Sequence, residues 1–196
     1  MLWNLLAKFL AIPSVTQWLI KQAIKTPYTH IRSHDLSTVY MYRFWLFNPY
    51  LATAEKVRLT QEGKKIPWSF PISIRLHHIM RPDSDRDLHD HPWNARTIIL
   101  RGWYHEIREY PSESNLHRKG ALYHLPDCDG FLFERKSGQT ATLDYNEYHR
   151  IVNLPKEGVW TLFITYKYRG TWGFKVDGKK VPYYEYIKEP PVETNR

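Results

Sequence analysis

Cysteine is nearly absent from this chain: its 196 residues include only Cys128. A single thiol cannot form an intrachain disulfide, and it cannot build a zinc site from several cysteines. Nothing in the sequence beside Cys128 suggests an activated thiol, so we expect a loop or buried cysteine. Imidazole is left as the only soft-to-borderline ligand type from which a transition-metal site could be built.

Long apolar runs are also missing. No uncharged apolar stretch reaches the roughly 18 residues that a membrane-spanning helix needs. The apolar segment 1–12 is interrupted by Lys8. It has neither a basic leader nor a small-residue cleavage site, so a signal peptide is not predicted. We therefore expect a cytoplasmic protein.

The first 25 residues predict two short helices separated by Pro13. Ser14 and Gln17 form a capping-box pattern at the start of the second helix. The apolar positions expected to share one face of that helix are Val15, Trp18, Leu19 and Ile20. We expect these helices to pack on the domain or on a second subunit.

Aromatic and basic residues in the same helices leave a second interpretation open. The aromatic side chains are Trp3, Phe9 and Trp18, and the basic ones are Lys8, Lys21 and Lys25. This mixture is typical of a helix that lies at a lipid boundary. An interfacial membrane helix is therefore the alternative.

Acidic residues are the scarcer charge. Lysine and arginine number 28 against 20 aspartates and glutamates, which gives a net charge of +8. Residues 1–50 contain five basic residues and one acid, so they hold half of the excess. A basic surface indicates an anionic partner, such as nucleic acid or an anionic membrane surface, but it does not specify a fold.

The chain is 42% hydrophobic and 15% aromatic, enough for the core of one domain. From residue 72 onward, short β-branched and aromatic runs alternate with turns. The predicted strands are 72–79, 95–101, 104–109, 121–125, 131–134, 140–143, 150–153 and 159–167. Asp177-Gly178 predicts a type I′ turn in a last hairpin, after 173–176. Many short strands without helical periodicity favour a sandwich or a small barrel.

Histidine is abundant, with ten residues. His89 and His91 are two positions apart, so on an extended strand both side chains point to one face and can hold one metal ion. Asp90 then points the other way. His149 follows a turn-like Asp-Tyr-Asn sequence and could supply a third imidazole.

These residues resemble the two motifs of the cupin superfamily. The first motif aligns from Asp83 through His89, His91 and Ala95 to Gly102, and every spacing is kept. The second motif aligns over residues 138–153. The resemblance implies a cupin-type double-stranded β-helix, that is, a mainly β jelly-roll barrel with an N-terminal helical arm. The predicted divisions are 1–50 for the arm and lead-in strand, 51–188 for the barrel and 189–196 for a flexible tail.

The sequence departs from the family pattern at four positions. Asp83 replaces a glycine, Asp144 replaces a proline, and Asn146 replaces a glycine but tolerates the left-handed conformation. Ala95 stands where many cupins have a glutamate ligand, so a coordination position is left open. The resemblance then implies either a metal-free pocket or a three-histidine site similar to that of thiol dioxygenases.

The leading hypothesis is a mononuclear non-haem Fe(II) dioxygenase or hydroxylase that acts on a small molecule, with His89, His91 and His149 as ligands. Zinc, manganese or nickel are the other metals considered. Arg75, Tyr104 and Glu106 are the candidate catalytic residues, with Arg75 pairing with a substrate anion and Glu106 orienting an imidazole or a water.

Two other functions stay open at this point. One is a redox-neutral metal-dependent isomerase or hydrolase. The other is a cupin-fold binding or assembly protein without catalysis, which engages nucleic acid, a membrane surface or a protein partner through its basic surface. A homodimer is also considered. The run HDHPW with GWYHE resembles a group of cupin-like proteins found in bacteria and their phages.

Overall fold

Antiparallel strands follow a pair of N-terminal helices. The computed structural model describes residues 1–32, 37–48, 62–63, 70–109, 121–125 and 130–187. The helices are α1 (Leu2–Leu10), α2 (Pro13–Ala23) and α3 (Tyr183–Tyr186). The strands are β1 (Ile31–Arg32), β2 (Val39–Phe47), β3 (Ser73–Ile79), β4 (Trp93–Arg101), β5 (Trp103–Glu109), β6 (Ala121–Leu125), β7 (Gly130–Lys136), β8 (Thr140–Leu143), β9 (His149–Asn153), β10 (Val159–Tyr168), β11 (Gly173–Val176) and β12 (Lys179–Pro182).

The strands form two main sheets. One has six strands in the order β1-β2-β3-β10-β4-β8, and the other has four in the order β6-β7-β5-β9. The strands β11 and β12 form a separate hairpin, and all of these pairings are antiparallel. The mainly β fold predicted from the sequence is confirmed. The predictions for Cys128 and the tail 189–196 lie outside the described residues.

A hydrophobic core joins the two sheets. Its buried members are Ile79, Ile99, Tyr104, Ile151 and Val159, and they come from both sheets. Neighbouring residues on a strand point to opposite faces, so each sheet has one set of side chains turned toward the other sheet. This inner space is where the histidines converge.

The outer face of the six-stranded sheet is covered by α1 and α2. Ala7 of α1 and Ile20 and Ala23 of α2 pack against buried side chains of three strands. Those strand residues are Leu76, Ile98, Leu100, Leu162 and Ile164. The expectation that the N-terminal helices pack on the domain is confirmed.

The capping box predicted for α2 is wrong. The N-cap residue is Ile12, and no side chain caps the helix. Pro13 occupies the first turn, where its fixed φ favours a helix start and its missing N–H is not needed. The helix therefore begins before Ser14, which lies inside it.

The predicted apolar face of α2 is also partly wrong. Trp18 is exposed, whereas Thr16 is buried and donates its hydroxyl to the Leu10 carbonyl at 2.8 Å. The inward positions are thus Thr16, Ile20 and Ala23. A small hydroxyl residue fits between the helices and the sheet, and the indole is left on the opposite side.

Two turns follow the sequence prediction closely. Asp177 and Gly178 have φ values of 48° and 75°, as a type I′ turn between β11 and β12 requires. Asn146 has a φ of 67°, so it does adopt the left-handed conformation expected for a replacement of glycine.

Candidate metal centre

The main chain brings His89 and His149 together. The N–H of His89 donates to the carbonyl of His149 at 3.0 Å, and the reverse bond is 2.9 Å. His89 also forms an isolated bridge to Phe174 of β11. His89 therefore lies in an isolated bridge before β4 and not within a strand, but its backbone is held between two strands.

Three imidazoles converge at this point. One ring nitrogen from each of His89, His91 and His149 lies within 4.8 Å of the other two. The Nε2 atoms of His91 and His149 are 3.0 Å apart. The ring centroid of His89 lies 5.4 Å from that of His91 and 4.8 Å from that of His149. The two motifs, distant in sequence, thus form one cluster.

The histidine cluster fits a divalent metal ion. Two nitrogens bound at about 2.1 Å and at roughly a right angle lie about 3 Å apart, which matches the Nε2 separation of His91 and His149. Within the described residues, Nδ1 of His89 is buried and makes no hydrogen bond. A buried ring nitrogen without a protein partner fits a site for a bound ligand such as a metal ion.

The protonation of these rings also suits a metal. Burial lowers the pKa of His89 to about 4. Burial and the adjacent His149 and His89 lower the pKa of His91 well below its ordinary value. Both imidazoles are therefore neutral at neutral pH, and the neutral imidazole is the form that coordinates a metal.

Glu106 lies behind His149 at the centre of an ionic network. Its Oε2 is 3.4 Å from Nδ1 of His149, longer than an ideal hydrogen bond. Its Oε1 is 2.8 Å from Nε of Arg108 and 2.5 Å from Nε of Arg135. Burial alone would raise the pKa of Glu106, but the two guanidinium groups lower it well below its ordinary value. A carboxylate anion therefore faces the far side of the His149 ring.

Asp90 points away from the imidazoles, as predicted, and joins the site to the last hairpin. Its carboxylate is fully buried, accepts the Gly173 N–H at 2.7 Å and binds Nζ of Lys180 at 2.5 Å. Gly173 is required here because a Cβ would lie 2.2 Å from the Val181 carbonyl oxygen. Asp90, which lies between His89 and His91, is thus held by contacts to both strands of the last hairpin.

Aromatic rings surround the cluster. Phe174 and Trp172 lie 6.0 and 6.2 Å from His89, on the side of the last hairpin. Phe163 and Trp93 lie 5.8 and 6.1 Å from His91, on the side of the six-stranded sheet. Ala95 is buried against Phe163 and Trp93, so its methyl group occupies the place of a longer side chain.

The three predicted catalytic residues lie at different distances from the cluster. Arg75 is buried and its guanidinium lies 5.2 Å from the Trp93 ring and 5.5 Å from the Phe163 ring, the same rings that flank His91. Glu106 lies against His149. Tyr104 is in the core between the sheets, where burial and Glu106 raise its pKa. Arg75 and Glu106 thus border the site, whereas Tyr104 contacts the hydrophobic core.

Several site residues were not found from the sequence. Among them are Trp172 and the partners of Arg108 and Asp90. Alternation along β5 places Glu106 and Arg108 on one face, so the sequence does contain a signal for their pairing. The second arginine, Arg135, comes from β7, and only the strand register places it beside Glu106.

Histidines of both motifs meet between two antiparallel sheets, in the arrangement that the motif spacing predicts. The antiparallel sheets and the histidine cluster are those that the resemblance to the cupin superfamily implies. No protein-family model and no curated protein sequence matches it. Similar solved structures include a cupin-2 domain protein from Rhodospirillum rubrum, at 10% identity, a TM-score of 0.46 and coverage of 76% of this chain and 74% of that one.

Two further solved structures are similar to this chain. Bacillus subtilis oxalate decarboxylase, at pH 4.6, is 14% identical with a TM-score of 0.46, over 88% of this chain but only 32% of that chain. The Fe(II) form of HppE is 8% identical with a TM-score of 0.43, over 70% of this chain and 56% of that one. Identities this low identify neither a substrate nor a reaction for this chain.

Proposed function

We propose that this protein is a metal-dependent cupin enzyme, a mononuclear non-haem Fe(II) dioxygenase or hydroxylase that acts on a small molecule. The observation behind the proposal is the convergence of three ring nitrogens, from His89, His91 and His149, within 4.8 Å. The sequence position at which many cupins place a fourth, carboxylate ligand is Ala95. Its methyl group cannot coordinate a metal.

A three-histidine set is compatible with iron, as it is with zinc and nickel. Imidazole suits Fe(II), and three protein ligands leave several coordination positions for dioxygen and for a chelating substrate. When bound, Fe(II) would supply the oxidation chemistry. The usual set for 2-oxoglutarate-dependent enzymes is two histidines and one carboxylate, so that mechanism is not favoured here.

The chain's own residues orient the site. The Glu106 carboxylate faces Nδ1 of His149 at 3.4 Å, and the other nitrogen of that ring lies 3.0 Å from Nε2 of His91. A carboxylate behind the ring would orient it toward a bound metal. Asp90 fixes the backbone between His89 and His91 through the Gly173 N–H. The aromatic rings beside His89 and His91 make the surroundings of the cluster largely apolar.

Arg75 defines the class of substrate in this proposal. Burial lowers its pKa to about 10, so the guanidinium is still charged at neutral pH. It lies over Trp93 and Phe163, the two rings that also contact His91. A positive charge at this position suits a small molecule with an anionic group and a second group that chelates the metal.

Metal binding is tested first. The full-length protein is dialysed anaerobically against Fe(II), and against Zn(II) and Mn(II) separately, and the bound metal is measured. We expect one ion per chain in the wild type. His91→Gln and His149→Ala should lower affinity at least tenfold, with the fold intact because the His89–His149 bridge uses only the main chain. His105→Gln, which changes a partly exposed histidine of β5, is the matched control.

Oxygen use is tested second, with an oxygen electrode and the iron-loaded protein. Small thiols such as cysteine and small carboxylates are the probes. Oxygen uptake that depends on the probe and is lost in Arg75→Gln supports the oxygenase. Metal binding without oxygen uptake favours a redox-neutral isomerase or hydrolase. A wild type that binds no metal overturns both enzymatic functions.

A further inference from the structure

An exposed apolar face runs along α1. Leu2, Leu5, Leu6 and Phe9 all face solvent, and Leu5 and Phe9 are 58% and 56% exposed. The opposite side of the helix, at Ala7, packs on the sheet. This helix is therefore apolar on both sides, although packing within the domain needs only one of them.

The exposed face of α2 has a different composition. Trp18 is 58% exposed, and Lys21 follows it at three positions on the same side of the helix. Lys25 is exposed just beyond the end of the helix. The buried side consists of Thr16, Ile20 and Ala23. An exposed indole beside lysines is typical of a helix at a membrane interface, where the ring sits at headgroup level.

Both exposed faces point in the same direction. The two helices pack on the outer face of one sheet, with α1 against β4 and β8 and α2 against β2, β3 and β4. The sides turned away from that sheet therefore form one surface. We call this surface the helical face, defined by Leu2, Leu5, Leu6, Phe9, Trp18 and the lysines Lys8, Lys21 and Lys25.

The two helices and the segment that follows them contain charged residues of one sign only. Residues 1–34 contain no aspartate or glutamate, and all three lysines of the face are exposed. Arg101 of β4 adds a further positive charge where it binds Gln17 of α2 at 3.0 Å. An apolar centre bordered by positive charge complements a surface that is apolar inside and anionic outside.

We propose that the helical face binds the surface of an anionic lipid bilayer, with α1 and α2 lying in the plane of the interface. Leu5 and Phe9 insert among the acyl chains, Trp18 lies at headgroup level, and the lysines contact anionic headgroups. No helix among the described residues is long and apolar enough to cross a membrane. The interaction is peripheral, and it is independent of the metal site on the other side of the sheet.

A second copy of this chain is a poorer occupant. In a two-fold dimer the same surface of both subunits is in contact. The lysines of one helical face would then meet the lysines of the other, which opposes association. Nucleic acid would satisfy the lysines but would leave the exposed leucines and Phe9 in water. An anionic bilayer satisfies both features.

Vesicle flotation with the full-length protein tests the proposal. The probes are vesicles of phosphatidylcholine alone and vesicles with about one third phosphatidylserine, at low and high salt. We expect binding to the anionic vesicles that weakens with salt. Leu5→Gln with Phe9→Gln should lower the partition coefficient on the order of 100-fold. Lys8→Gln, Lys21→Gln and Lys25→Gln together should lower it on the order of 100-fold.

The control removes the same charge elsewhere, through Lys156→Gln, Lys167→Gln and Lys179→Gln, three exposed lysines outside the helices. It should bind like the wild type. Circular dichroism and the thermal midpoint check that each variant is folded. The proposal is overturned if the wild type does not float with anionic vesicles, if the control loses as much binding as the helical variant, or if the Leu5 and Phe9 changes alter only self-association or DNA binding.

Discussion

His89 and His149 exchange two main-chain hydrogen bonds, with N···O distances of 3.0 and 2.9 Å. Their imidazoles are therefore positioned by backbone pairing, which does not depend on the side chains themselves. This arrangement makes the site open to mutational tests, because a ligand can be removed without cutting the connection between the two motifs. Glu106 and Asp90, which lie beside the histidines, can be substituted separately from the ligands.

Substitution of Glu106 should affect both stability and metal affinity. Glu106→Gln removes a buried negative charge and leaves Arg108 and Arg135 with less compensation. We expect a loss of about 3 kcal/mol in the free energy of unfolding and a roughly 10- to 100-fold weaker metal affinity. Urea denaturation and metal titration measure the two effects. Glu134→Gln, at an exposed ion pair with Lys136, should change neither. An unchanged unfolding free energy in Glu106→Gln would contradict the role of the network.

Asp90 should show a graded response to substitution. Asp90→Ala removes the acceptor of the Gly173 N–H and the partner of Lys180, so we expect a loss of roughly 2 to 3 kcal/mol in stability. Asp90→Asn keeps an acceptor for Gly173 and should lose less. Metal affinity, measured by equilibrium dialysis, should fall in the same order. Equal effects of Ala and Asn would show that the Gly173 bond does not hold the histidine segment.

The metal-free protein should lose stability as the pH falls. Burial lowers the pKa of His89 to about 4 and lowers that of His77 well below its ordinary value of 6.5, with Arg75 and Arg43 adding to the shift at His77. When the pH falls below 6.5, the ordinary pKa of histidine, these side chains bind protons in the unfolded chain but stay neutral in the folded one. The free energy of unfolding therefore declines between pH 6.5 and about 4.

The thermal midpoint of the metal-free protein, followed across this range, measures the effect. His77→Phe removes one of the buried imidazoles, whose Nε2 makes no hydrogen bond among the described residues, and keeps a ring against Phe163. The variant should therefore show a shallower decline with pH. A decline as steep as in the wild type would mean that His77 is not held neutral by the fold.

Ala95→Glu should restore a carboxylate ligand. Ala95 packs against Phe163, which also contacts His91, so a longer side chain at this position starts beside the histidine cluster. Oxygen ligands suit Mn(II), and we expect Mn(II) affinity to rise on the order of tenfold while the metal-free protein becomes less stable. Ala95→Gln, which adds the same length without charge, is the control. Equal Mn(II) affinity in the two variants would place position 95 outside the coordination shell.

Local features of this protein were predictable from the sequence. Asp177-Gly178 predicted the last hairpin because a type I′ turn needs two residues with positive φ, and this preference is local. A short β-branched run between turns predicted 140–143 as a strand, and the structure has it as Thr140–Leu143. The spacing of the histidines indicated a metal site because it matched a known pattern.

Tertiary contacts decided the rest. Thr16 is buried and Trp18 exposed because α2 packs on the sheet through its Thr16, Ile20 and Ala23 side, and the docking of the helix on the sheet decides which side faces inward. Glu106 meets Arg135 only through the register of β5 with β7. The amino-acid sequence by itself determined which residues can bind a metal and where the strands turn. The pairing of distant strands decided that three histidines meet and which charges stand behind them, because main-chain hydrogen bonds between remote segments set those distances.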